Sequence, residues 1–167
     1  MQTITKTYNI YELDELPQDI QQKVIEKEAE NIREAEIEDF LEEEIKMLAI
    51  QLLEEKFGEK AILKDVYYSL NYCQGDGAMI EFNLTYCGKT LEIRHDGWHY
   101  NHANAFEIIS ESGKELTEKQ YKTLREKIYN INKELGKFGY EFIEEDRTEQ
   151  AIEQLKDCMF YENGEIY

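Results

Sequence analysis

The chain has 167 residues, 41% of them hydrophobic and 12% aromatic, with 37 acidic against 19 basic side chains and a formal net charge of -18. That length suits one domain with a core of its own, and the apolar content excludes a disordered chain although 34% of the residues are charged. The surplus negative charge disfavours direct binding to nucleic acid or anionic lipid and favours basic partners.

A single proline, Pro17, and the lack of a Ser/Gly-rich tract leave no linker, so residues 1–167 are read as one acidic α+β domain. Cys73, Cys87 and Cys158 have neither metal-ligand spacing nor a disulfide framework, which suits a reducing cytoplasm. The opening MQTITKTYNIYELDEL carries no basic n-region and no apolar h-region, so no signal peptide is expected. No apolar run approaches the ~20 residues of a membrane span.

In chain order, Ile4, Tyr8 and Ile10 share one parity and predict a strand over Thr3 to Tyr11. Pro17 marks a helix start, and Ile20, Val24, Ile25, Ala29 and Ile32 form the apolar stripe of that helix. A second helix is predicted from Ile37, Phe40, Leu41, Ile45, Leu48, Leu52 and Leu53, stopped by Gly58. Ile62 to Cys73 and Ala78 to Cys87 read as strands joined by a glycine turn at Gly75-Asp76-Gly77. Cys87-Gly88-Lys89 is a second tight turn, leading to a strand over Thr90 to His95 and a fourth over Ala105 to Ile109. Thr117 and Gln120 form a capping box for a helix lined by Tyr121, Leu124, Ile128, Ile131 and Leu135, with Gly136 as its end. Phe138, Tyr140 and Phe142 then alternate as a strand would, Asp146 and Glu149 cap a short helix, and Glu162-Asn163-Gly164 turns a terminal hairpin. The order β-αα-ββββ-α-β-α-β predicts an α+β fold, an antiparallel β-meander with helices packed on one face.

The run Glu26 to Glu44 holds ten acidic side chains against Lys27 and Arg33. Within it Glu38, Asp39, Glu42 and Glu43 are placed on one helix, opposite Phe40, Leu41 and Ile45, with Glu34 one turn earlier. Like charges four apart repel, and lysines that would relieve them are few, so the row reads as a surface imitating a phosphate backbone; the alternative is a solvated helix face. A second acidic cluster comprises Glu141, Glu144, Glu145, Asp146, Glu149, Glu153 and Asp157, and mimicry gains from it if the two clusters share a face.

All three histidines lie in His95-Asp96-Gly97-Trp98-His99-Tyr100-Asn101-His102. The H-x3-H-x2-H spacing matches neither a zincin helix nor a structural zinc site, and no cofactor or metal is expected. Trp98 and Tyr100 are candidate partner anchors, with core packing as the alternative for Trp98. Gln74-Gly75-Asp76-Gly77 lacks the pattern of a P-loop or an EF-hand and reads as a structural turn. Glu81 near His95, and Cys73 with a histidine, are pairings that nothing in the sequence singles out, so no catalytic residue is assigned and the chain is read as a non-enzyme.

Three stretches together carry a resemblance: Tyr8 to Leu16, Tyr68-Ser69-Leu70-Asn71-Tyr72-Cys73-Gln74-Gly75-Asp76-Gly77-Ala78, and Phe160-Tyr161-Glu162-Asn163-Gly164. They resemble a group of small acidic phage and prophage proteins, some labelled antitoxin-like; phage genomes also hold small acidic inhibitors of host defence, anti-CRISPR proteins among them. The resemblance implies a phage protein acting in the cytoplasm of a bacterial host. The expectation is an inhibitor whose acidic face (Glu34, Glu38, Asp39, Glu42, Glu43, with Trp98 and Tyr100) docks on a basic host protein, such as a CRISPR effector or another nuclease, and excludes nucleic acid. The alternatives are an antitoxin-like protein that neutralises a basic toxin and a small metal-dependent enzyme using His95, His99 or His102.

Overall fold

A computed structural model describes residues 7–97, 104–111, 113 and 115–167. The protein is α+β, with a four-stranded antiparallel sheet. The helices are α1 (Gln18–Asp39), α2 (Leu41–Phe57), α3 (Glu118–Glu144) and α4 (Thr148–Leu155), and the strands are β1 (Ala61–Ser69), β2 (Gly77–Tyr86), β3 (Lys89–His95) and β4 (Phe106–Ser110). No helix among the described residues is long and apolar enough to cross a membrane. The chain divides into two compact units, Met1–Asp39 with Glu145–Tyr167, and Phe40–Glu144.

The larger unit is built on the sheet, ordered β1-β2-β3-β4 as the meander reading expects. Alternate residues Ala78, Ile80, Phe82 and Leu84 of β2 are buried, registered with Val66 on β1 and with Leu91 and Ile93 on β3. The period of two that marks these strands in the sequence therefore fills the core. Cys87 and Gly88 both take positive φ (51° and 73°), the two-residue turn that matches the twist of the flanking strands. α2 packs on β1 and on α3 through Leu41, Ile45, Ala49, Leu52 and Leu53, and α3 lies against β2. The capping box at the start of α3 forms as expected, the Thr117 N–H donating to Gln120 Oε1 and the Gln120 N–H to Thr117 Oγ1.

Four expectations are corrected. The helix starting at Ile37 is instead two elements: α1 runs to Asp39 and α2 starts at Leu41, with Phe40 as its N-cap at φ -122° and 52% exposed. The strand over Phe138 to Phe142 is helix, because α3 continues through Gly136 and Gly139 to Glu144. Gly136 is therefore no stop: a Cβ on it would lie 3.4 Å from the Ala78 backbone nitrogen, and one on Gly139 would lie 2.5 Å from Leu70 Cδ1. Only at Gly139 does the missing Cβ make room that a neighbour, Leu70, occupies. Residues 7–10 form no strand; Tyr11 makes a single antiparallel bridge to Phe160, and the earlier part of that expected strand lies outside the described residues. The turn at Gly75-Asp76-Gly77 is part of a longer loop, in which Tyr72 (φ 56°) and Gly77 (φ 148°) take the positive-φ positions.

In the smaller unit α1 packs on α4. The stripe expected on α1 is used as read: Ala29 and Ile32 meet Ala151, while Ile20, Val24 and Ile25 pack on Leu13, Leu16, Leu155 and Phe160. The terminal hairpin is reduced to a bridge between Phe160 and Ile166, with Gly164 at φ 84°.

Candidate docking surface

The smaller unit carries 18 acidic and 6 basic side chains, net -12; the larger carries 19 and 13, net -6. Two thirds of the negative charge therefore belongs to little more than a third of the chain. On α1, Glu26, Glu30, Glu34 and Glu38 recur every four residues, and all are exposed. Successive members rise by about 6 Å along the helix, which makes a charged stripe with a regular step. Arg33 pairs with Glu30 at 2.5 Å, and the Gln22 amide donates to Glu26. The ion pairs among the described residues involve neither Glu34, Glu38 nor Asp39.

Glu36, in the same run, has a different task. Arg147 is 2% exposed and donates from Nε to Glu36 Oε2 at 2.8 Å, while its Nη2 lies 3.2 Å from Glu145 Oε2. A buried guanidinium needs such partners to offset its lost hydration. Arg147 thereby joins the end of α1 to the segment before α4. Asp146 accepts from the Thr148 hydroxyl at 2.6 Å and the Thr148 N–H at 2.9 Å, and these donors, with the charge of Arg33 nearby, hold its carboxyl below the usual range. Part of the second acidic cluster is thus brought beside the first within one unit: Glu145, Asp146, Glu149, Glu153 and Asp157 belong with α1, whereas Glu141 and Glu144 end α3 in the larger unit.

The expected row of Glu38, Asp39, Glu42 and Glu43 on one helix does not form. Glu38 and Asp39 end α1, whereas Glu42 and Glu43 occupy the first turn of α2, where the helix dipole favours acids, and Glu42 pairs with Lys46. Trp98 and Tyr100, with His99 and His102, lie outside the described residues. No group of three potential metal ligands occurs among the described residues.

Glu81 and His95 do come together. The His95 N–H donates to Glu81 Oε1 at 2.9 Å, and its ring stacks on Tyr67 at 5.3 Å. Burial, with the charges of Glu81 and Asp65, raises the Tyr67 phenol above its ordinary value. The glutamate is occupied with a backbone donor at the end of β3, which makes the contact a strand fastening.

The Tyr68 to Ala78 stretch folds into a knot centred on Asp76. Its carboxylate accepts from Ser69 Oγ (3.0 Å), the Cys73 N–H (2.8 Å), the Cys73 thiol (2.9 Å) and the Tyr140 hydroxyl (2.7 Å). Burial alone would raise the acid, but the four donors outweigh it and Asp76 is held well below the carboxylate range. Burial and that carboxylate push Tyr140 up to about 12. Tyr72 packs on Tyr140 at 5.0 Å and donates to Glu144, so the loop is tied to the last turns of α3.

Sequence reasoning missed Arg147 and a set of tyrosines far apart in the chain, Tyr8 with Tyr161 and Tyr167, in which Tyr161 touches both other rings. Their shared appearance in short Tyr-rich terminal segments was the available signal. Comparison of the chain with protein-family models, with curated proteins and with solved structures finds no match.

Proposed function

We propose that the protein is a phage-type inhibitor that binds a basic, nucleic-acid-handling host protein, such as a CRISPR effector nuclease, and competes with nucleic acid for its cationic groove. The observation that carries this reading is the charge of -12 on the smaller unit, with Glu26, Glu30, Glu34 and Glu38 exposed in regular steps along α1. Such a field steers a cationic partner at long range and competes with a phosphate backbone for the same lysines and arginines. Glu34, Glu38 and Asp39 are the contact residues on this reading, and Glu36 is a structural one.

The test compares two variants of equal net charge. Glu34→Lys with Glu38→Lys alters the stripe, whereas Glu126→Lys with Glu134→Lys alters exposed positions on α3. Capture of a basic protein from bacterial lysate at low salt, released by added duplex DNA at constant ionic strength, is expected for the wild type and for the α3 variant. The α1 variant is expected to lose capture by at least tenfold. Equal behaviour of the two variants, or a captured protein that DNA does not release, removes the basis of the proposal.

A further inference from the structure

Tyr8 and Tyr11 meet the segment from Phe160 to Tyr167 in an aromatic corner that the charge pattern alone does not reveal. Tyr11 and Phe160 exchange backbone hydrogen bonds of 2.9 Å in both directions, which sets residues 7–10 beside the terminal hairpin. The hairpin closes through the Tyr161 N–H to the Glu165 carbonyl (2.8 Å) and the Gly164 N–H to the Tyr161 carbonyl (2.9 Å). Tyr8 meets Tyr161 edge-on, with centroids 5.4 Å apart and planes at 67°; Tyr167 meets Tyr161 at 5.7 Å and 71°. Tyr8 stays 56% exposed and Tyr167 70% exposed, so neither ring is spent on the core.

A surface cavity of about 620 Å³ opens at this corner, walled by Tyr8, Asn9, Tyr161, Glu162 and Glu165 among others, with no cationic residue among the described residues of its lining. Two ring systems and two carboxylates around one space define the chemistry of the guest. Aromatic faces carry negative partial charge and attract a cation held over them, and the carboxylates add to that field. An anion would be repelled, and a neutral apolar guest would strip water from Glu162 and Glu165 without repaying it. The volume is that of a pocket for a side chain with part of its backbone, larger than a bare ion needs.

We infer that this corner receives an arginine or lysine side chain from a basic peptide segment. The inference rests on the reading above that the partner is basic, and adds a short-range anchor to the long-range field of α1.

The test uses a short fluorescein-labelled arginine-rich peptide and its citrulline counterpart, read by fluorescence anisotropy. The arginine peptide is expected to bind and the citrulline peptide not. Tyr8→Leu, which keeps apolar bulk but removes the ring, is expected to weaken binding about fivefold, whereas Tyr8→Phe stays within about twofold of wild type. Glu162→Gln with Glu165→Gln is expected to weaken binding and flatten its salt dependence. If Tyr8→Leu binds as wild type while Glu34→Lys with Glu38→Lys loses the peptide, the pocket is refuted and the α1 surface stands. If the ring variant loses the peptide and the α1 variant does not, the pocket stands and the stripe falls. Equal binding of the arginine and citrulline peptides overturns both.

Discussion

Replacing Gly164 with alanine should unseat the terminal hairpin from α1. Gly164 sits at φ 84°, where an L residue carries a strain of about 1–2 kcal/mol. Its added Cβ would lie 2.7 Å from Val24 Cγ2 and 2.9 Å from Ile20 Cγ2, closer than carbon atoms approach. Val24 and Ile20 are β-branched residues on a helix, each held to one χ1 rotamer, so neither methyl can swing aside without moving α1. Overpacking of this kind costs a further ~1–3 kcal/mol. The lower entropy of the unfolded alanine chain returns about 0.4–1 kcal/mol, leaving a net loss of about 1–4.6 kcal/mol. Urea unfolding followed by far-ultraviolet circular dichroism measures it, with unchanged m-value. The double variant Gly164→Ala with Val24→Ala removes the shorter contact, and its loss should fall short of the sum of the singles by about 1 kcal/mol. A single-variant loss below about 0.5 kcal/mol, the range of ordinary surface substitutions, would show that the hairpin does not sit on Val24 and Ile20 as described.

Glu36→Gln leaves the buried Arg147 with Glu145 as its charged partner and should cost about 3 kcal/mol in the same unfolding experiment, whereas Glu34→Gln, on the exposed stripe, should change stability by less than about 0.5 kcal/mol. Gly136→Ala should be neutral or stabilising by up to about 1 kcal/mol, since the helix gains propensity and the new methyl meets Ala78 at ordinary contact; Gly136→Leu should instead push α3 off β2 and lower stability, read as a fall in melting temperature. Tyr140 ionises at about 12 in the folded protein against about 10 unfolded, so the stability its hydroxyl contributes is complete below pH 10 and is lost as pH rises toward 12. In Tyr140→Phe the fall in melting temperature between pH 10 and pH 12 should be smaller than in wild type, and an unchanged alkaline limb would remove the Asp76–Tyr140 bond from the account.

The four strands were legible because alternation and turn residues agreed: Leu91 and Ile93 share a face, and Cys87-Gly88 supplies the two positive φ values the turn requires. The long reach of α3 was not legible, because Gly136 carries the local signature of a helix stop while the helix runs on past it, with the Ala78 backbone 3.4 Å from where its Cβ would lie. Phe138, Tyr140 and Phe142 alternate by coincidence; Phe138 and Phe142 are also four apart, and their rings lie 6.2 Å from each other along one helix. The break at Phe40 was hidden for a related reason, since the apolar spacing of Ile37, Leu41 and Ile45 continues across it unbroken. The meeting of Tyr8 with Tyr161 and of Glu36 with Arg147 depends on pairings between residues more than a hundred positions apart, which no local pattern encodes.

The acidic stripe is unlike the other clusters in what it does for the fold. Asp76 is surrounded by donors, Glu36 and Glu145 neutralise Arg147, and Glu42 and Glu43 suit the positive end of α2. In each of these places the negative charge stabilises something. Glu26, Glu30, Glu34 and Glu38 face one another at helical neighbour spacing, and each like-charged pair costs a few tenths of a kcal/mol, about 1 kcal/mol over three pairs. The unit that bears this cost has a small core, whose buried apolar residues are Leu13, Leu16, Ala29, Ile32, Ala151, Leu155 and Phe160. Lysine at one or two of the four positions would convert repulsion to attraction without touching that core. A helix shaped by stability alone would have taken that course. Its retention of four carboxylates, only Glu30 of them in an ion pair with a neighbour among the described residues, in the unit with the smaller core and twice the net charge of the other, is the feature on which the proposed cationic partner rests.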